Sequence, residues 1–192
     1  MSALDVERIE DRADAILARI PAWMWDGETL PVPVETIADS HYGILIRDVD
    51  DLTAAPGCPP LAAGHSLSGL LLAGRGEIWV NAAEAREWPG RRRFTICHEL
   101  GHWELHRSGQ QALFCRAAAV EPELAAADTR PPLPVTEAEA NAFAAALLIP
   151  RHQLREAYAE ERDFTRLCAK FGTSGRAMQK RMADVIGRPA GS

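Results

Sequence analysis

The chain of 192 residues has 27 acidic and 21 basic side chains, a formal net charge of −6, and a composition that is 47% hydrophobic and 25% charged. These values suit one well-packed globular domain with a small appended subdomain, and the negative charge argues against a dedicated nucleic-acid-binding protein. The longest apolar run, Ala142 to Ile149, is too short to cross a membrane, and acids from Asp5 onward exclude a secretory signal, so we expect a cytoplasmic protein.

The chain begins with an amphipathic pattern. Apolar residues recur at helical spacing through residues 4–20, which predicts a helix that Pro21 ends. Trp23 and Trp25 follow in a Pro-rich connector, where packing is their expected role. A short helix is predicted near residues 35–40.

The next part of the chain predicts a small sheet. Strand patterns occupy residues 43–49, 68–73 and 77–81. The last two strands are joined by Gly74-Arg75-Gly76, a tight hairpin signal. A Pro/Gly-rich loop, residues 55–64, separates the first two strands.

A helix starting near Gly90 carries His98, Glu99 and His102 in the pattern His-Glu-x-x-His. Residues four apart lie about 40° apart around a helix and roughly 6 Å apart along it, so both imidazoles can face one ion. Glu99 lies about 100° around from His98, beside such an ion, where a carboxylate can deprotonate a water. A chance match on a solvated helix is the alternative, and a catalytic site needs a third protein ligand.

His106 does not fit as that ligand. It lies eight residues beyond His98, about 12 Å along the helix axis, which is too far to share an ion with both histidines. We expect a half-exposed residue at the helix end, where an imidazole is favourable to the helix dipole.

The Ala-rich segment 136–150 offers a better candidate. Thr136 and Glu139 have the spacing of a capping box, which predicts a helix with Glu139 directed to solvent. Glu137 and Asn141 lie on its apolar face, where a carboxylate is costly unless a cation neutralises it. We therefore predict Glu137 as the third ligand and Asn141 as a hydrogen-bond partner of a ligand. A first-turn glutamate favoured by the helix dipole, and an ordinary buried asparagine, are the alternatives.

Two separated motifs carry a resemblance to a known family. The run Arg-Arg-Arg-Phe-Thr before His-Glu-Leu-Gly-His, followed by Glu-Ala-Glu-Ala-Asn-Ala-Phe-Ala-Ala-Ala-Leu-Leu-Ile-Pro, resembles the ImmA/IrrE zinc metallo-endopeptidases over roughly residues 30 to 185. The resemblance implies an α+β, zincin-like fold, in which a small antiparallel or mixed sheet packs on the His-Glu-x-x-His helix and a second ligand helix. It also implies one Zn²⁺ held by His98, His102 and Glu137, with Glu99 as the general base.

The resemblance also implies a substrate. Family members commonly cleave a helix-turn-helix repressor, so we expect a protein substrate of the XRE type and a role in bacterial transcription regulation and stress response. An edge strand of the sheet could hydrogen-bond an extended substrate without reading its sequence.

His152, Tyr158 and His65 are equal candidates for the residue that assists the oxyanion.

The C-terminal part differs in charge from the rest. We predict a metallopeptidase domain over residues 1–150 and a small basic helical subdomain over 151–192, packed on the first. That subdomain has nine Lys and Arg against five Asp and Glu. Residues 167–182 resemble a helix-turn-helix with Gly172-Thr173-Ser174 as turn and cap. A structural role is the stronger expectation, and direct binding to nucleic acid the weaker one.

Two other functions remain open at this point. One is a DNA-binding regulator with a structural zinc, and the other is a toxin–antitoxin component whose zinc site is not proteolytic. Glu99 and an open fourth metal position argue against a structural site, because structural zinc has four protein ligands.

Further expectations concern the metal helix and the connector after it. Gly101 in the helix interior predicts the close approach of another backbone, either the sheet or the second ligand helix. The run Arg91-Arg92-Arg93 predicts solvated charge, with one arginine as a possible packing or substrate contact. Residues 116–135 are acidic and proline-rich, which predicts disorder or a mobile flap.

The cysteines are expected to be free thiols. Cys58, Cys97, Cys115 and Cys168 form no Cys-x-x-Cys pair. Cys97 adjoins His98, which suggests a redox sensor, but its direction on the helix favours a small buried hydrophobe.

Overall fold

The structure is a computed structural model with a mixed α+β fold, as predicted. It describes residues 3–56, 58, 61, 65–106, 113–119 and 134–187. The helices are α1 (Ala3–Leu17), α2 (Val34–Thr36, continued as a π-turn through Ile37–His41), α3 (Ala82–Glu87), α4 (Pro89–His106), α5 (Val135–Leu148), α6 (Arg151–Glu160), α7 (Phe164–Phe171) and α8 (Gly175–Val185). The strands are β1 (Leu45–Val49), β2 (His65–Leu72), β3 (Glu77–Asn81) and β4 (Leu113–Ala119). In this part of the chain, no helix combines the length and the apolar character that a bilayer crossing requires.

The sheet has the strand order β1-β3-β2-β4 and is mixed. β1 runs parallel to β3, while β2 pairs antiparallel with both β3 and β4. The predicted hairpin is confirmed, because a turn at Ala73–Arg75 joins β2 to β3 and Gly76 takes a left-handed φ of 61°. Of the described strands, β1 and β4 therefore form the two edges of the sheet.

β4 was not predicted. The expectation of a connector without regular structure is wrong for residues 116–119, which belong to this strand, while residues 120–133 lie outside the described residues. The segment is rich in alanine and lacks the β-branched residues that mark strands. Its strand conformation depends on backbone pairing with β2, a contact that local sequence does not encode.

The two long central helices lie directly against each other at Gly101. A Cβ at this position would lie 3.0 Å from the Cα and 3.1 Å from the carbonyl oxygen of Ala140 in α5. This confirms the expected close approach and identifies α5 as the partner. Phe143 and Leu147 of α5 are fully buried in the core formed with α1 and the sheet, so the contact between α4 and α5 lies at the centre of the molecule.

The arginines that open α4 hold neighbouring segments together. Arg92 and Arg93 both pair with Glu35 of α2, at 3.1 Å each. Arg93 also donates to the carbonyl oxygens of Val32, at 2.6 Å, and of Gly172, at 3.1 Å. The expectation of solvated charge is wrong for Arg93, whose side chain is only 14% exposed. The packing contact is confirmed, since this guanidinium neutralises an acid and satisfies backbone groups from two other segments.

The C-terminal helices have well-defined ends. Gly172 ends α7 with a left-handed φ of 59°, and the Ser174 hydroxyl accepts from the Ala177 N–H at the start of α8. The predicted turn and cap are thus confirmed. The division into domains at residue 150 stays a prediction.

Arg181 of α8 ties the C-terminal helices to the beginning of the chain. Its side chain is 2% exposed, and both terminal nitrogens contact the carboxylate of Glu10 in α1. Its Nε donates to the carbonyl oxygen of Ile149 at 2.8 Å. The Arg181 charge is therefore buried, and all three guanidinium nitrogens have partners within the protein.

Removing this guanidinium is expected to destabilise the fold strongly. Arg181→Ala leaves the Glu10 carboxylate and a buried carbonyl without their donor, which costs about 3–5 kcal/mol of unfolding free energy. The neighbouring Lys180→Ala is the matched control, because Lys180 and Asp184 form an exposed i,i+4 pair that contributes about 0.2–0.5 kcal/mol. Urea unfolding curves measure both values, and equal losses in the two variants would contradict the structural role of Arg181.

Candidate metal centre

The candidate site lies where the middle of α4 meets the start of α5. His98, Glu99 and His102 of α4 are at most 1% exposed, and Glu137 lies in the first turn of α5. The middle of α4 is buried on all sides because it passes between β2 and α5, so its polar residues must find partners inside the protein. The structure brings the three predicted ligands together.

Their donor atoms form a compact triangle. The Nε2 atoms of His98 and His102 are 3.1 Å apart. His98 Nε2 lies 3.2 Å from Glu137 Oε2, and His102 Nε2 lies 3.1 Å from Glu137 Oε1. Ligand atoms at about 2.0–2.1 Å from a tetrahedral zinc lie about 3.3 Å from each other. The triangle therefore has the dimensions of one face of a zinc coordination tetrahedron.

Asn141 sets the orientation of the first imidazole. Its Oδ1 lies 3.1 Å from His98 Nδ1, where an amide oxygen can only accept, so Nδ1 of the neutral ring donates. The lone pair of His98 then belongs to Nε2, which faces Glu137 and His102. Asn141 lies one turn after Glu137, at the position predicted for a partner of a ligand.

The charge state of Glu137 suits a cation. Burial alone would raise the pKa of this carboxyl group. The Nε2 atoms of His102 and His98 face it and, when they carry a proton in place of a metal ion, their hydrogen bonds outweigh burial and hold the pKa well below its usual range. Glu137 is therefore a carboxylate at neutral pH. Two imidazole nitrogens and a carboxylate form a donor set found in catalytic zinc sites, and these residues fit a bound metal ion.

Glu99 occupies the side of α4 that faces the sheet. A Cβ on Gly69 of β2 would lie 2.2 Å from Thr95 Cγ2 and 3.2 Å from Glu99 Oε1. Only glycine leaves room here for both side chains. The sequence did give a signal for this contact, since an isolated glycine within a predicted strand often marks a close approach, but the signal does not name the partner.

Two residues near the site make a contact that was not expected. His106 is 11% exposed at its side chain, and its Nδ1 lies 3.1 Å from Nδ1 of His102. Its Nε2 lies 2.9 Å from Oε2 of Glu139. His106 has the expected intermediate burial at the end of α4, whereas the expected solvent direction of Glu139 is wrong. The expected capping box is also absent, since α5 begins after Pro134 without a side-chain cap.

The cysteines bear out the simpler expectation. Cys97 is fully buried and burial raises the pKa of its thiol, so it is a small hydrophobe of the core. Cys168 is also a free thiol, and Cys115 lies outside the described side chains.

Two of the three candidates for assisting the oxyanion have described side chains. His152 is exposed on α6, and Tyr158 packs against the core with Arg162 over its ring. The side chain of His65 is outside the described residues.

Comparison with known proteins adds a family and a fold. The Peptidase_M78 family, described as the IrrE N-terminal-like domain, matches residues 62–183, a range that includes both helices of the candidate site. A Mycobacterium tuberculosis transcriptional regulator has a similar fold, with a TM-score of 0.52 and 19% sequence identity. The similarity covers 95% of this chain and 48% of that one, so the chain spans about half the length of the regulator. No curated protein matches the sequence.

Proposed function

Because the chain belongs to the Peptidase_M78 family of IrrE N-terminal-like domains, we propose that it is a zinc-dependent endopeptidase of the ImmA/IrrE type. The observation that carries the proposal is the meeting of His98, His102 and Glu137 within 3.2 Å of one another at a buried position. A solvated helix with a chance pattern would not bring a carboxylate from a second helix to both imidazoles.

In this proposal His98, His102 and Glu137 hold one Zn²⁺, and Asn141 orients His98. When bound, the ion supplies a Lewis acid that polarises the scissile carbonyl and makes a water more acidic. Three protein ligands leave a coordination position open, which distinguishes a catalytic from a structural site.

The reaction also needs a base from the protein, and we assign this role to Glu99. Its carboxylate accepts a proton from the attacking water and later donates it to the leaving amine. The place of Glu99 next to His98 on α4 and its burial against β2 support this role. Burial excludes bulk water, which would otherwise weaken the electrostatic interactions of the site.

The sheet offers a place for an extended substrate. We propose that β4, an edge strand among the described strands, pairs with the substrate backbone, as in other complexes that form by strand addition. β4 pairs with β2, the strand that packs against Glu99 through Gly69, and Gly69 lies opposite Arg116 in the β2–β4 register. β4 is therefore the neighbour of β2, the strand that contacts the proposed general base.

For the substrate we propose a protein, specifically a helix-turn-helix repressor of the XRE type, cleaved in the bacterial cytoplasm. The family of the chain supports this class of substrate, and the description of the structural neighbour as a transcriptional regulator is consistent with a role in transcription.

We further propose that the zincin-like peptidase domain ends near residue 150 and that residues 151–192 form a helix-turn-helix-like subdomain with a structural role. In α8, Arg181 is buried against Glu10 and Lys180 pairs with Asp184. A helix that reads DNA presents its cations to phosphates. Two of the α8 cations are instead used within the protein, which favours the structural role.

Metal removal tests the proposed function. Purified protein is expected to contain one zinc per chain and to cleave an XRE-type repressor or a fluorogenic peptide library. A chelator should abolish cleavage, and added Zn²⁺ should restore it, because the metal supplies the Lewis acid. Elemental analysis and mass spectrometry of the products measure the two properties.

Zinc content and cleavage, measured on the same preparation, distinguish the proposed peptidase from a regulator or toxin–antitoxin component. Full zinc content with no cleavage of any repressor or peptide would count against proteolysis. A band shift of DNA from the protein's own upstream region would then favour a regulator, or a toxin–antitoxin component with a zinc site that is not proteolytic.

A further inference from the structure

We propose that His106 and Glu139 are positioning residues that orient His102 through a chain of hydrogen bonds. The inference rests on the proposed metal site and extends it to two residues with no assigned role there. The chain runs from His102 Nδ1 to His106 Nδ1, at 3.1 Å, and from His106 Nε2 to Glu139 Oε2, at 2.9 Å. It is a further connection between α4 and α5, beside the three proposed ligands.

For neutral imidazoles, the chemistry of the end group sets the direction of both hydrogen bonds in this chain. A carboxylate only accepts, so His106 must donate from Nε2 to Glu139. The Nδ1 of a neutral His106 is then an acceptor, which obliges His102 to donate from Nδ1. The lone pair of His102 is thereby left on Nε2, the atom that faces His98 and Glu137. A metal ion needs the lone pair at that nitrogen, so the chain selects the tautomer that can bind.

The two proposed histidine ligands are thus held by different means. His98 donates to the neutral amide of Asn141, whereas His102 donates into a chain that ends in a carboxylate. A negative charge at the end of such a chain makes the ligand imidazole a stronger donor to the metal. We therefore expect the metal affinity to depend on Glu139 through its charge as well as its hydrogen bond.

Because His106 and Glu139 are largely buried, the charge of Glu139 can influence His102. The side chains of His106 and Glu139 are 11% and 26% exposed, and the rings of His102 and His106 have their centroids 5.2 Å apart. Hydrogen bonds in such surroundings are less weakened by water than those at the surface. An exposed salt bridge at a helix end would have little influence on a buried ligand.

Zinc affinity measured by competition with a chromophoric chelator tests the inference. His106→Ala and Glu139→Ala are each expected to weaken Zn²⁺ binding about 10–100-fold. Glu139→Gln keeps an acceptor oxygen without the charge, so its loss should be smaller than that of Glu139→Ala. The double variant should bind as weakly as His106→Ala alone, because the two residues act through one chain.

A matched control removes a different carboxylate from the same end of α4. Glu104 lies two residues before His106, but its carboxylate accepts from Arg12, at 3.0 Å to Nε. Glu104→Gln is therefore expected to keep wild-type zinc affinity. The absorption spectrum of the Co²⁺-substituted protein should change in His106→Ala and not in Glu104→Gln, since it reports the ligand environment. The melting temperature of the metal-free protein should be similar in both.

The outcomes distinguish this inference from the proposed function. Three results would each overturn the positioning role. The first is a zinc affinity within twofold of wild type in both alanine variants. The others are an equal loss of affinity in Glu104→Gln and additive losses of affinity in the double variant. A wild type that binds no metal would overturn it as well. A wild type that binds zinc but cleaves nothing would overturn the peptidase proposal alone, and the affinity series would still decide the role of His106 and Glu139.

Discussion

Glu99→Gln is expected to lower the rate of peptide cleavage by about 10²–10⁴-fold, the contribution of a positioned general base, while leaving one zinc per chain. Glutamine has nearly the same shape as glutamate but cannot accept the proton from water. Glu99 is fully buried with its Oε1 close to Gly69, so an isosteric change avoids a cavity and a clash. Single-turnover cleavage assays and elemental analysis of the same sample give the two measurements.

Glu104→Gln is the matched control for this variant too. It removes a carboxylate from the same helix at a residue that contacts Arg12 outside the proposed site. Cleavage at the wild-type rate is expected. If Glu99→Gln also cleaves at the wild-type rate with its zinc in place, then Glu99 is not the base and the assignment is wrong.

Glu137→Ala is expected to lose the metal, and cleavage with it. The substitution removes one of three protein ligands, so zinc affinity should fall by well over the 10–100-fold that follows the loss of a residue behind a ligand. In the proposed site, this carboxylate would also balance the charge of the cation that the two buried imidazoles would hold. Metal content after dialysis against a weak chelator measures the loss, and circular dichroism checks that the fold remains.

Glu139→Gln provides the comparison on the same helix. Because Glu139 contacts His106 and not the triangle of donor atoms, this variant should retain zinc at stoichiometric protein concentrations. Full zinc content in Glu137→Ala would mean that the third ligand lies elsewhere, and the role of Glu137 would have to be abandoned.

Several features of the site could be predicted because they depend on local periodicity. The four-residue spacing of His98 and His102 places both rings on one side of a helix wherever that helix lies. The same reasoning placed Glu137 and Asn141 on the inner face of α5. The close packing of Gly101 against another backbone could also be predicted from this residue alone. Glycine in a helix interior lowers helix stability, and close packing can offset that loss.

The contacts between His102, His106 and Glu139 could not be predicted in the same way. His106 was correctly placed too far from His98 to share an ion, but the same four-residue spacing relates it to His102. Glu139 was placed by its angle around α5 and by a capping pattern with Thr136. Neither consideration shows where the last turn of α4 crosses α5, and that crossing decides what a long glutamate side chain can reach.

The sheet shows the same limit. The three strands that were predicted have alternating or β-branched sequences and clear turn residues at their ends, whereas β4 has neither. Its pairing with β2 includes an irregularity between Leu67 and Gly69, beside the place where Gly69 contacts Glu99. Pairing between strands that are distant in sequence depends on the whole chain. The periodicity of one segment therefore does not predict which strand it pairs with.

The ion pairs of α1 bear on the order in which the protein assembles. The acids of this helix bind Arg151 and Arg181, residues that lie 140 and 171 positions after their partners in the sequence. Its apolar residues Ile16 and Leu17 belong to the same core as α5. During synthesis, α1 leaves the ribosome long before any of these partners, so the face that packs against α5 stays uncovered until α5 follows. Because contacts so distant in sequence form slowly, we expect the first helix to dock late in folding.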